Sequence, residues 1–273
     1  MMSTSKLNRV GVTVTDVEEF AAVTRHTIGL TWLRPSAEES WPQIKVRFGE
    51  HGIQPIQLLE KMAVIRDGLY EVAIEVPDAL QTRSTLKDRG VEPVLDIYLP
   101  GPDSYEYLYG PDFHGIPLVV CTAGDAERQM ALDGPFRGLD EADPPKVGCV
   151  ALVVDDLDAA VEDFGQVFGM SFVEVDPAGM AERAVVGAHR IKLLENPAAS
   201  LRHHFLPPLA AIEIMVEDVE SVVERFRQVG QSPVLTREFR RGGKIHYFGS
   251  VLTVPLGIYH ASADPEILGG QTP

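Results

Sequence analysis

The sequence predicts an α+β protein made of four β-α-β-β-β units paired into two tandem domains. Three observations predict it. Asp16, Asp78, Asp156 and Asp218 each end an apolar-alternating run and open a helix-like run, in VGVTVTDVEEF, VAIEVPDALQT, VALVVDDLDAA and IEIMVEDVESV. Their spacing is nested: 62 residues separate Asp16 from Asp78 and Asp156 from Asp218, and 140 residues separate one pair from the other. Glycines keep the same beat, with Gly29 to Gly90 and Gly169 to Gly230 both 61 apart and the pairs again offset by 140.

The first unit shows why each element forms. Val10, Val12 and Val14 fall on one face of a strand, and Arg9, Gly11 and Thr13 on the other. Asp16 then takes a helix N-cap, where its carboxylate accepts from free backbone N–H groups and meets the positive end of the dipole. Val17, Phe20, Ala21 and Val23 give the helix an apolar stripe, and Gly29 stands where a C-terminal glycine belongs. Strands follow in LTWLRP, IKVRF and IQPIQLLE. The third unit repeats them with FGMSFVEV, RAVVG and RIKLLE.

The units fall at 7–62, 68–122, 147–196 and 209–262, so the domains are 1–122 and 147–262. Residues 123–146, rich in charge, Gly and Pro, read as an exposed linker, and 263–273 as a loosely held tail. A length of 273 fits two domains at about one per 150 residues.

Composition narrows the function. Hydrophobic content of 45% and 23% charged residues suit a soluble globular chain. A formal charge of −16 and a pI near 4.9 exclude nucleic acid and anionic membrane as partners. No apolar run approaches the roughly 18 residues of a membrane span, and the N-terminus MMSTSKLNRV lacks a signal-peptide core, so the expected compartment is the cytoplasm. Cys121 and Cys149 lie on strands of different halves and read as reduced, buried thiols. The chain has no CxxC, Walker loop, GxGxxG or GxSxG motif.

Four such units, with domain endings FHGIPLVV at 113–120 and PLGIYHA at 255–261, resemble the vicinal oxygen chelate superfamily. That group includes glyoxalase I, the extradiol dioxygenases, and the bleomycin and fosfomycin resistance proteins. The resemblance implies that each domain curls into a cup. It also implies a divalent metal held by a His on the first strand of a unit and a Glu on the last, a set that suits Fe(II). In the repeat alignment the first-strand places hold Arg9, Glu71, Cys149 and Ala211. The closing-strand places hold Val119 and Ala261, and the fourth-strand places hold Gln57 and Lys192. Neither domain assembles a ligand triad from these, so no cofactor is expected. The alternative is Fe(II) or another divalent metal on atypical ligands, His246 and His260 after a shift of register with His189 nearby.

Arg9 and Glu71 occupy pseudo-symmetric places and are expected to face each other as a charge-assisted pair. The second cup is expected to gather Cys149, Lys192, Glu213 and Tyr259. Alanines at its ligand places make it roomy and apolar, suited to a small aromatic or alicyclic molecule. His246 and Tyr247 in GKIHYFGS are the catalytic candidates, as an acid–base pair. The basic stretch TREFRRGGK at 236–244 reads either as a lid for an acidic substrate or as a solvated loop, and His203–His204 as a surface turn. Two functions follow. One is a metal-free protein that binds, or binds and transforms, a small organic molecule; the other is a divalent-metal extradiol dioxygenase or glyoxalase-type lyase. The partner is a small molecule, with a homodimer through exposed strands as a further expectation.

Overall fold

The computed structural model describes residues 5–35, 42–61, 68–99, 103–123, 139, 142–177, 179–239 and 242–270. The first half contains β1 (Lys6–Thr13), α1 (Val17–Thr27), β2 (Ile44–Val46), β3 (Ile53–Leu58), β4 (Leu69–Val76), α2 (Ala79–Asp88), β5 (Pro93–Leu99), β6 (Ser104–Phe113) and β7 (Ile116–Thr122). The second contains β8 (Lys146–Val154), α3 (Leu157–Phe168), β9 (Val173–Glu174), β10 (Ala181–Val186), β11 (Ile191–Pro197), β12 (Leu209–Val216), α4 (Val219–Gln228), β13 (Pro233–Glu238), β14 (Lys244–Val251), β15 (Val254–His260) and the short α5 (Asp264–Ile267). Most of the stretch 123–146 lies outside the described residues.

Two mixed sheets result, with strand orders β2-β3-β1-β4-β7-β6-β5 and β9-β10-β11-β8-β12-β15-β14-β13. Each is built about one antiparallel pair, β1 with β4 and β8 with β12. Each central strand is flanked by a parallel neighbour that closes its own unit. This is the expected α+β architecture of two tandem cups.

All four aspartates cap their helices: Asp16 accepts from Glu18 N and Glu19 N, Asp78 from Gln81 N, Asp156 from Ala159 N and Asp218 from Ser221 N. The cap is a local device, formed by the carboxylate with the next turn, and so follows from sequence alone. α1 packs on α4 and α2 on α3, so the helices meet between the two sheets. One apolar cluster joins both halves there, including Val10, Val12, Phe20, Ile74, Val150, Phe164, Ile214 and Phe226.

Two predicted strands are shortened. LTWLRP contributes isolated bridge residues rather than a strand, Leu33, which pairs with Phe48, and Pro35. Trp32 is drawn into the helix-side core, with its ring 4.4 Å from that of His51, and Pro35 has no N–H for a ladder. FGMSFVEV keeps only β9, because Phe172 packs on Phe164 and His189.

The β2–β3 and β10–β11 turns are equivalent and interlock the halves. The His51 carbonyl accepts from Val147 N at 2.8 Å, and the His189 carbonyl from Leu7 N at 3.3 Å. Each imidazole lies against a glycine two residues back. A Cβ on Gly49 would come within 2.0 Å of the His51 ring, and one on Gly187 within 2.1 Å of the His189 ring.

Candidate functional site

Side chains alternate along these strands, so one face of each sheet meets the helices and the other lines the cup. In the first cup Arg9 lies between two carboxylates. Its Nε donates to Glu71 Oε1 at 2.7 Å, and its Nη1 and Nη2 donate to Glu106 Oε1 and Oε2 at 3.1 and 3.0 Å. All three residues are buried. The predicted Arg9–Glu71 contact forms, and Glu106 joins it as a fork-on-fork pair. Burial acts against the Arg9 charge, but Glu106 and Glu71 outweigh it and raise its pKa further above the ordinary value. Burial pushes the Glu71 carboxyl up; Arg9 opposes this and Glu106 adds to it. Glu106 was legible: in SYEYLYG the tyrosines Tyr105, Tyr107 and Tyr109 take the helix-side face, leaving Glu106 to point into the cup.

Gln57 is not in the cup. Its Oε1 accepts from Val17 N at 3.4 Å at the start of α1, the place where Glu195 accepts from Leu157 N at the start of α3. The register pairs Gly11 with Gln54 and Ala151 with Lys192, so the counterpart of Lys192 is Gln54. The β2–β3 hairpin is offset from β10–β11 by 138 residues rather than 140, which moves the fourth-strand place.

The second cup is floored by a second buried ion pair. Lys192 Nζ lies 2.6 and 2.7 Å from the two carboxylate oxygens of Glu213, and Tyr247 Oη donates to Glu213 Oε1 at 2.7 Å. Glu213 is fully buried. Burial, with the Glu213 charge, holds the Tyr247 phenol well above its ordinary pKa. Cys149 lies in the same apolar cluster as Ala151, Ala211 and Met215, and its thiol is raised by burial and by Glu213. Tyr259 is buried and donates to Asp264 Oδ1 at 2.6 Å, while Arg190 grips Asp264 at 3.1 and 3.2 Å.

The expected roominess is absent, because the chain fills this cup with its own side chains. Ile245, Tyr247 and Tyr259 occupy it, and the segment after His260 folds back over it. Ala263, Ile267 and Leu268 are buried there, so the tail is held by apolar packing and by the Asp264 anchors. What stays open is the mouth, a cavity of about 480 Å³ lined by Val175, Asp176, Lys192, Arg237, Phe239 and Ile267 among others.

His246 and Tyr247 do not form a pair. As neighbours on β14 they point to opposite faces: Tyr247 lies in the cup cluster, whereas His246 Nδ1 is 2.9 Å from Thr236 Oγ1 outside it. Burial, aided by Lys244 and Arg227, lowers the His246 pKa. His260 is exposed and accepts from Ser262 N as the cap of the 3-10 turn Ala261–Ala263. His203 and His204 sit in a 3-10 turn, with ring centroids 3.8 Å apart. The basic stretch is neutralised locally: Arg237 pairs with Asp176 at 3.1 Å and Lys244 with Glu238 at 2.7 Å, while Arg240 and Arg241 lie outside the described residues.

The doubled β-α-β-β-β cups define a tandem α+β fold. Residues 146–252 match the family described as the Glyoxalase/Bleomycin resistance protein/Dioxygenase superfamily. The fold likeness spans both domains. The Mn(II)-bound glyoxalase from Novosphingobium aromaticivorans aligns over 95% of this chain and 83% of its own, at 16% identity and a TM-score of 0.63. The 2,3-dioxygenase LapB from Pseudomonas sp. KL28 aligns over 96% and 94%, at 13% identity and a TM-score of 0.64. A mutant 4-hydroxymandelate synthase from Streptomyces coelicolor aligns over 98% of both chains, at 14% identity and a TM-score of 0.63. No curated protein matches the chain in sequence. Among the described residues no helix is long and apolar enough to cross a membrane.

Proposed function

We propose that the protein binds a small aromatic or alicyclic molecule at the mouth of the second cup, without a metal ion, and that Lys192 orients it. The observation that carries this reading is the Lys192–Glu213–Tyr247 cluster beneath the cavity of about 480 Å³. Val175, Phe239 and Ile267 offer a ring an apolar seat, and the ammonium offers one polar fixing point to a hydroxyl or carbonyl oxygen. Acids at the mouth, Glu174, Asp176, Glu238 and Glu266, favour a neutral ligand over an anionic one.

The donor sets do not suit the divalent ion that the fold family implies. In each cup a protein cation already sits on the carboxylate, Arg9 on Glu71 and Glu106 and Lys192 on Glu213. An incoming ion would have to displace that cation and then coordinate beside a like charge. Among the described residues no three His, Cys, Asp or Glu side chains are placed to hold a metal. His246 and His260, the fallback ligands, stand on the face of the sheet opposite the cup, the face of Ile258.

Elemental analysis and ligand binding test the reading together. The purified protein is expected to carry only substoichiometric Fe, Mn, Ni and Zn, and a panel of phenols and cyclic ketones should yield at least one saturable ligand whose binding is lost in Lys192→Met. A stoichiometric metal that disappears in His246→Ala or His260→Ala overturns it.

A further inference from the structure

A second feature lies on the opposite face of the first domain, away from both cups. Between α2 and the β5–β6 hairpin is a cavity of about 480 Å³ lined by Asp78, Leu80, Arg83, Asp103, Tyr105 and Tyr107, among others. Its wall is a row of aromatic rings set by strand geometry. Tyr105 and Tyr107 are two apart on β6 and share a face, with centroids 6.3 Å apart and planes within 13° of parallel. Tyr98 on β5 is the cross-strand partner of Tyr105 and adds a third ring at 5.2 Å.

The row already holds one cation. The Arg83 guanidinium lies 4.9 Å over the Tyr107 ring and pairs with Asp96 at 3.0 Å. A planar cation over a ring with a carboxylate at its edge is a recurring recognition unit. The next ring along repeats the unit without the cation. Tyr105 is 45% exposed, and no described cation lies over it. Asp103 stands beside it, accepting from Tyr98 Oη at 2.8 Å. Asp78 adds a second carboxylate at the cavity wall, and Leu80, 66% exposed, adds an apolar surface at its rim. Arg83 is matched by Asp96, so the remaining charge in the cavity is negative.

We infer that this cavity is a binding site for a small organic cation, one with an amidinium, guanidinium or ammonium head on an apolar body. The head stacks on Tyr105 and pairs with Asp103, and the body lies against Leu80. The site requires nothing of either cup and stands or falls apart from the ligand assigned there.

Benzamidine and its neutral isostere benzamide are the probes, titrated into the full chain and followed by saturation-transfer NMR and calorimetry. Benzamidine is expected to saturate one site, to weaken as salt is added, and to outbind benzamide clearly. Tyr105→Ala should weaken it about fivefold, and Asp103→Asn on the order of tenfold. Both residues are exposed, so the variants keep the fold, which circular dichroism verifies. Absence of saturable benzamidine binding, equal binding of benzamide, or indifference to both substitutions overturns the assignment.

Discussion

Acid should open this protein at the junction between its halves. His51 is 3% exposed, with Nε2 2.9 Å from Thr31 O, and burial lowers its pKa from 6.5 to about 4 against the opposing pull of that carbonyl. His189, in the equivalent turn, is lowered to about 4 by burial, against a backbone bond at Ser171. Because the folded values lie below the unfolded one, the native state favours the neutral ring. The stabilisation is therefore complete above about pH 6.5 and is lost as pH falls toward 4. The shift is worth about 3 kcal/mol per histidine, roughly 6 for the pair, against a typical total of about 5–15 kcal/mol. The assay is urea unfolding at several pH values between about 7 and 4, on the wild type and on a His51→Gln, His189→Gln double variant. Carboxylates titrate in both proteins, so the difference in slope isolates the histidines. Parallel pH profiles would refute the argument.

Three further outcomes are expected. Arg9→Met leaves Glu71 and Glu106 buried without their cation and should cost about 3–5 kcal/mol in urea, while adding Glu71→Gln and Glu106→Gln should restore most of the loss. Glu71 is held above its ordinary pKa, so its ionisation weakens the native state as pH rises through the folded value; Glu71→Gln alone should raise the denaturation midpoint more at about pH 8 than at about pH 5. Ending the chain after Ser262 removes Ile267 and Leu268 from the second cup; at about 1.5–3 kcal/mol per buried side chain it should lower stability by roughly 3–6 kcal/mol and raise binding of a hydrophobic dye.

Local and periodic features were legible, and features set by hairpin length or by distant packing were not. The N-cap aspartates act within one turn, and the β-strand faces follow period two, so Arg9, Glu71, Cys149, Lys192 and Glu213 were placed in the cups from sequence alone. Gln57 was misplaced because a repeat alignment assumes equal hairpins, and these differ by two residues. Glu106 was available in the alternation of SYEYLYG but lies on the sixth strand, outside the places that the family resemblance marks. ADPEILGG carries only Ile267 and Leu268 as apolar signal, too little to reveal burial that depends on Tyr259 and Arg190 gripping Asp264. His246 and Tyr247 were joined by adjacency in the chain, which on a strand separates side chains.

The pseudo-repeat divides the structure into what the fold demands and what it leaves open. The interlocking turns recur almost unchanged: Gly49 and His51 against Trp32 in one half, Gly187 and His189 against Phe172 in the other, each carbonyl bonded to the opposite domain. The helix caps recur as well. The charges in the cups do not. Arg9 has Cys149 at its equivalent place, Lys192 has Gln54, Glu213 has Ala73 and Tyr247 has Leu108. Had burying an ion pair been a requirement of the curled sheet, it would sit on the same strands in both halves. The carboxylates Glu71 and Glu213 do share the equivalent strands β4 and β12, two residues apart along them, but the cation sits on β1 in one half and on β11 in the other, so each pair is particular to its cup. A buried ion pair is weak support for stability. Lys192 of the second pair, 7% exposed, lines the cavity at the mouth of its cup, and that contact is why the ligand is assigned to the second cup.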